Sequence, residues 1–235
     1  MALILNIDTA LETASVSLAE DGKVLQAALN ESQKDHAAWL QPAIKKLLDD
    51  SGYKMKQLNA VAVSNGPGSY TGLRVGLSTA KGICYALNIP LITIGTLGLM
   101  AFSAIRNNMD SGLMIKDFLF CPMIDARRME VFTAVFDLDL NELVKPHALI
   151  LNEHSFDELL KGQKILFLGN GSEKFQKICR NPQAVFKKFP LNPPALASLT
   201  YKSFIGNNFA ELAYTEPLYL KEFFTIQAIR PANPR

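Results

Sequence analysis

The stretch Val63-Ser64-Asn65-Gly66-Pro67-Gly68-Ser69-Tyr70-Thr71-Gly72-Leu73-Arg74-Val75-Gly76 joins an apolar run to a glycine-rich turn and then to a helical pattern. Ala60–Ser64 predicts a short buried strand, residues 65–72 a loop, and Leu73–Leu87 a helix. A loop in that position exposes backbone N–H groups at a helix start, where the helix dipole can hold an anion. Spacing rules out two phosphate motifs. A P-loop needs Lys and then Ser or Thr after its last glycine, and Leu73-Arg74 follow Gly72 here. A dinucleotide fingerprint reads GxGxxG, whereas this loop reads GxGxxxG, and Ile92, Thr93 and Ile94 stand where the ribose-binding acid belongs. Two readings stay open. In one, the glycines allow a tight strand-to-helix turn, with Ser69 or Thr71 capping the helix. In the other, Asp8, Thr9, Gly66, Gly68, Ser69, Tyr70 and Thr71 form a nucleotide-contact set.

The helix beyond the loop carries a second pattern. Gly72, Gly76 and Ala80 lie four apart, with Thr79 and Ile83 beside them, so one face is a stripe of small residues. Gly76 and Gly82 inside a helix each cost about 1 kcal/mol relative to alanine, a loss that close approach of another element would recover. That element belongs either to the same chain or to a partner subunit.

Upstream, Leu3–Asp8 reads as a buried strand, Thr13–Leu18 alternates with period two, and Asp21-Gly22 turns into Lys23–Leu29. Ala37, Leu40, Ile44, Leu47 and Leu48 recur at helical spacing, with Gly52 placed to end the helix and Pro42 expected to bend it. Leu91–Ile94 and Thr96–Arg106 add a strand and a helix. The same order then returns: strands at Leu119–Asp125, Glu130–Phe136 and Leu143–Leu151, a helix at Ser155–Lys161, a strand at Lys164–Leu168 and a helix at Glu173–Cys179. Pro146 weakens the case for the third of these strands, since proline cannot donate to a ladder and prefers a sheet edge. A helix is expected over Ala195–Ile205 and a loose tail over Pro231–Arg235. The polar stretch 107–118 divides the chain into an N-terminal lobe, 1–106, and a C-terminal lobe, 107–235, which would face each other across a cleft.

The composition, 235 residues with 49% hydrophobic and 20% charged, is that of a folded globular chain. A net charge of +2 supplies no strong field for nucleic acid or an anionic membrane. Three widely spaced cysteines suit a reducing compartment, and the opening Met-Ala-Leu-Ile-Leu-Asn-Ile-Asp lacks the plan of a signal peptide, so a cytoplasmic location is expected. Catalytic parts are scarce. No two of His36, His147 and His154 share a helix face at metal-ligand spacing, and no GxSxG elbow occurs. Asp8, Glu12, Asp125 and Glu130 could hold Mg²⁺ through water, although carboxylates are common at strand ends. On this reading the chain has no catalytic residues and no metal site.

Ile4-Leu5-Asn6-Ile7-Asp8-Thr9-Ala10, the Val63–Gly76 stretch, Ala80-Lys81-Gly82, Ile124-Asp125-Ala126-Arg127-Arg128, Gly169-Asn170-Gly171 and Pro217-Leu218-Tyr219-Leu220 together resemble the TsaB (YeaZ) family. Tyr70 and Lys221 depart from the residues commoner there, and the region from about 130 to 215 matches sparsely. The resemblance implies an α/β actin-like ATPase fold (the ASKHA, RNase H-like class), two lobes each built on a βββαβα core. It further implies a non-catalytic partner of the related TsaD protein. With the TsaE ATPase, and with TsaC supplying threonylcarbamoyl-adenylate, that pair makes threonylcarbamoyladenosine beside the tRNA anticodon. The implied contact, with TsaD or with a second copy in its absence, runs through two first-lobe helices and maps onto His36, Leu40, Ile44, Leu47, Gly72, Gly76, Thr79, Ala80 and Ile83. No cofactor is expected on the chain alone, ATP or ADP and Mg²⁺ only at the complex interface, tRNA contact only indirectly, and no membrane contact. A glycoprotease-like metallopeptidase and a nucleotide-binding module are the alternatives.

Overall fold

A computed structural model of the chain describes residues 1–32, 35–110, 116–189 and 192–221. The first half runs β1 (Leu3–Asp8), β2 (Ala14–Glu20), β3 (Lys23–Asn30), α1 (His36–Ser51), β4 (Ala60–Ser64), α2 (Tyr70–Leu87), β5 (Leu91–Ile94) and α3 (Thr96–Asp110). The second repeats the plan with β6 (Phe118–Asp125), β7 (Glu130–Phe136), β8 (Glu142–Ile150), α4 (Asp157–Leu160), β9 (Lys164–Leu168), α5 (Ser172–Ile178), β10 (Ala184–Lys187) and α6 (Pro193–Ile205). The sheet orders are β3-β2-β1-β4-β5 and β10-β9-β6-β7-β8, which is one topology used twice. In each, the first three strands are antiparallel neighbours and the later two join in parallel.

Alternation along β1 explains why it sits at the centre. Leu3, Leu5 and Ile7 join the cluster under α1 and α2, together with Leu40, Ile44 and Leu47. Ile4 points the other way, with Ala60, Ala62 and Ile92, and Phe204 of α6 covers them. A strand buried on both faces shows no polar alternation, hence its unbroken apolar run. Gly52 ends α1 in the left-handed conformation, φ 74°. The helix continues through Pro42, which is on the solvent side, and is not split there.

Each half's last helix crosses to the other half's sheet. α3 lays Leu97, Ala101, Ala104 and Ile105 on Phe120, Ile124 and Phe136 of the second sheet. α6 packs on β1, β2, β3 and β5 of the first. There Thr200 Oγ1 donates to Asn6 Oδ1 at 2.7 Å, both residues buried. The expected boundary between 106 and 107 falls within α3, and residues 111–115 and 222–235, including the expected tail, lie outside the described residues.

Three local expectations change. α2 starts at Tyr70 instead of Leu73, because Ser69 Oγ accepts from Gly72 N and caps the helix there. The helix expected over Ser155–Lys161 is only the turn Asp157–Leu160, since Ser155 Oγ accepts from Asn152 N and serves a turn before it. β10 was not expected at all. Its four residues are short and only partly buried, so they carry no period-two signal. Pro146 does lie in an edge strand, β8.

Candidate functional site

The glycine-rich loop is sealed onto the end of β1. Ser69 N donates to Ala10 O at 2.7 Å, and Thr9 Oγ1 donates to Gly72 O at 2.7 Å. A Cβ on Gly68 would stand 2.3 Å from Ala10 O, one on Gly72 2.0 Å from Thr9 O, and one on Gly76 2.3 Å from Thr9 Oγ1. Gly68 and Gly72 are therefore required by backbone approaching backbone within the lobe, and Gly76 by the Thr9 side chain. Gly66 is the one loop glycine in left-handed backbone, φ 117°, and a Cβ there would meet Leu218 O at 2.7 Å.

Of the expected nucleotide-contact set, Asp8 and Thr9 are fully buried. Asp8 Oδ1 accepts from Ser64 Oγ and from Ala10 N. Burial pushes the Asp8 carboxyl above the usual carboxylate range, and the hydrogen bonds from Ser64 and Ala10 and the nearby His36 only partly offset that. Gly66 and Gly68 face Leu218 and Ala10, and the N–H groups of Gly66, Ser69 and Gly72 donate to Thr96 Oγ1, Ala10 O and Ser69 Oγ. The acid of this set is bonded internally, and three of its loop donors are engaged within the chain. No group of three metal-ligating side chains occurs among the described residues.

Ser69, Tyr70 and Thr71 do reach the cleft between the lobes, a cavity of about 780 Å³. Asp125 and Arg127 line its other wall, and Leu218–Lys221 crosses between the lobes. Leu218 N donates to Asn65 O at 2.7 Å, the Tyr219 ring lies 5.3 Å from that of Tyr70, and Arg74 Nε donates to Tyr219 Oη at 3.0 Å. Lys221 Nζ then reaches Glu130 of the second lobe. On that wall Lys174 Nζ donates to Asp125 at 2.7 Å. Partial burial would raise the Asp125 carboxyl, but Lys174 and the Arg127 amide more than offset it and hold the group below its usual range. Residues 218–221 thus form a strap whose aromatic and cationic side chains are engaged within the chain. In the sequence, the late Pro217–Leu220 motif is the one trace of that role.

The helix faces divide the residues expected at the interface. His36, Leu40, Ile44, Leu47, Gly72, Gly76 and Ala80 are all buried in their own lobe. His36 Nε2 donates to Leu11 O at 3.1 Å, and the glycine stripe meets Thr9 rather than a neighbouring molecule. Both faces of a helix can be apolar or small, and spacing alone does not tell the inward one from the outward one. Thr79 and Ile83 remain partly exposed. They belong to a flank of α2 made of Val75, Ser78, Thr79, Gly82, Ile83 and Ala86, which carries no charge. Gly82 is exposed, and a Cβ there would find nothing within 4 Å among the described residues. Gln41 of α1 donates to Thr79 Oγ1 at 3.1 Å, and Ala37, Ala38, Gln41 and Pro42 continue this surface across α1. The cations of α2 lie on its opposite flank, where Lys81 Nζ donates to the carbonyls of Ala213 and Thr215. The signal for the outer flank was Gly82, a helix-interior glycine with no packing partner among the described residues.

The family model described as TsaD, tRNA N6-adenosine threonylcarbamoyltransferase, matches residues 29–215. The tRNA threonylcarbamoyladenosine biosynthesis protein TsaB of Escherichia coli is 29% identical over 226 residues, covering 93% of this chain and 94% of that protein. The TsaB protein of Bacillus subtilis is 31% identical over 170 residues, covering 71% of this chain and 70% of its own. The crystal structure of a Pseudomonas aeruginosa protein similar to peptidase YeaZ superposes with a TM-score of 0.79 at 24% identity, over 94% of this chain and all of that one. YeaZ from the same organism gives 0.76 at 24% identity, over 94% of this chain and 100% of its own. The two-lobed α/β fold expected from the sequence, one topology used twice, is the fold observed and is shared with YeaZ. No helix of the described residues is long and apolar enough to cross a membrane. The chain belongs to the TsaD-type domain family and, within it, to the TsaB (YeaZ) proteins of tRNA threonylcarbamoyladenosine biosynthesis.

Proposed function

We propose that this chain is a non-catalytic subunit that docks a TsaD-type transferase and so supports threonylcarbamoyl transfer to tRNA. The observation that carries this reading is the uncharged outer flank of α2 centred on Gly82, with open space over that glycine. A glycine inside a helix costs about 1 kcal/mol relative to alanine. At Gly72 and Gly76 contact within the lobe explains the glycine; at Gly82 no described residue does, which favours close approach by another molecule. A partner helix can lie close along Val75, Thr79, Gly82, Ile83 and Ala86, with Ala37, Ala38 and Gln41 of α1 beside it.

In this account the TsaD-type protein occupies the face in the working complex, and a second copy of this chain takes it when that protein is absent. The TsaE ATPase joins the pair, nucleotide and Mg²⁺ bind only at the surface the subunits share, and tRNA is reached through the complex, in the cytoplasm. The sealed Gly-rich loop and the buried, internally bonded Asp8 support a supporting role over chemistry by this chain. The test is a reconstituted transfer assay with TsaD, TsaE, ATP, threonylcarbamoyl-adenylate and tRNA. Modified adenosine should form only when this chain is added, and this chain with TsaE but without TsaD should give none. Transfer at full rate without the chain, or transfer by the chain in the absence of TsaD, contradicts the proposal.

A further inference from the structure

We infer that a second cavity of the cleft, of about 220 Å³, binds a compact organic ammonium ion: an apolar body ending in a protonated amine. An engineered cavity of about 150 Å³ holds a benzene ring, so this volume suits a ligand of about ten non-hydrogen atoms. The cavity lies against α3, between the end of β1 and the end of β9. Leu11, Leu99, Met100, Leu168 and Phe189 supply apolar walls. Ser103, on the α3 side, is 6% exposed, and its Oγ has no hydrogen-bond partner among the described residues. A buried hydroxyl left unpaired costs about 1–3 kcal/mol, and a ligand atom in the cavity it lines would recover that.

The charges choose the ligand class. Asp8 and Glu12 line the cavity, and among the described residues no lysine, arginine or histidine does. A phosphate or carboxylate would find hydroxyl and amide donors there but no described cation to pair with, and Glu12 would repel it, so nucleotides are disfavoured here. Glu12 is exposed and supplies a rim carboxylate; its Oε1 already accepts from Asn170 Nδ2 at 3.3 Å, which holds it toward the second lobe. An ammonium group at the rim would pair with Glu12 while the apolar body fills the interior and displaces water. Because both lobes contribute walls, an occupant would also bridge them. The inference is independent of the docking proposal: the cavity faces the cleft and not the outer flank of α2.

Calorimetry on the full chain with phenethylamine, 2-phenylethanol and ATP tests it. Phenethylamine, protonated at pH 7, should bind at least tenfold more tightly than 2-phenylethanol, and ATP should not compete with it. Glu12→Gln, at an exposed position, should weaken phenethylamine about tenfold and leave 2-phenylethanol unchanged. Ser103→Leu should abolish binding by filling the space, with circular dichroism confirming that the variant is folded. Equal affinity for the amine and the alcohol, no binding of the amine up to 10 mM, or unchanged amine binding by Glu12→Gln would each overturn the inference.

Discussion

Replacing Gly76 by alanine adds one methyl group at the most crowded point between α2 and β1. The new Cβ would lie 2.3 Å from Thr9 Oγ1 and 3.4 Å from Val63 Cγ2. Thr9 is completely buried, and its hydroxyl is held by its bond to Gly72 O at 2.7 Å. Escape has two routes. Thr9 can rotate and abandon that bond, leaving buried polar atoms unpaired at about 1–3 kcal/mol. Alternatively α2 can shift off the sheet, an overpacking cost of about 1–3 kcal/mol. Alanine's helix preference returns about 1 kcal/mol, so Gly76→Ala should lose up to about 2 kcal/mol net. Gly82→Ala, six residues on in the same helix, meets nothing within 4 Å and should gain up to about 1 kcal/mol. Urea unfolding followed by circular dichroism gives both values from the midpoints at unchanged slope. Thr9→Ala removes the clashing oxygen, so in the double variant the Gly76→Ala penalty should shrink by at least about 1 kcal/mol. Equal stabilisation by both alanines would refute the claim that Gly76 is dictated by Thr9.

Two further outcomes follow from buried polar groups. Burial keeps the Asp8 proton in the folded chain at pH values where the unfolded chain has released it, so Asp8 makes stability fall as pH rises from 3.8 through its raised folded value. Asp8→Asn keeps an acceptor for Ser64 and Ala10 and should flatten that decline; urea midpoints across the window check it, and a wild-type slope would count against the assignment. Thr200→Val strands the buried Asn6 acceptor beneath α6 and should cost about 1–3 kcal/mol in the same assay, whereas a change below about 0.5 kcal/mol would mean that α6 contributes little to the first sheet.

Much of the architecture was legible because strong patterns repeat. The apolar run of β1, the turn at Asp21-Gly22, the helical spacing through α1 and the edge-forming Pro146 each reported a local physical demand that the fold satisfies. Two features were out of reach for a physical reason. β10 is four partly buried residues, too short for periodicity to register. The crossing of α3 and α6 depends on which sheet a helix lands on, a tertiary choice that its own apolar face does not encode. At the candidate site, the spacing of Gly72, Gly76 and Ala80 marks a close-packed stripe, but the neighbour of the two glycines is Thr9, more than sixty positions upstream and silent in any local window. Gly82 carried the outward signal, and it was separable from Gly76 only once the space above each was known.

The central claim is that the outer flank of α2 is where the transferase docks. Light scattering on this chain mixed with the TsaD-type protein from the same source tests it directly, comparing wild type with Gly82→Trp. That substitution fills space that is open in the isolated chain, so the fold should be unaffected. The account predicts the mass of a one-to-one complex for wild type and only separate subunits for Gly82→Trp. A complex of undiminished mass and affinity with Gly82→Trp, or no complex with the wild-type chain, would contradict it.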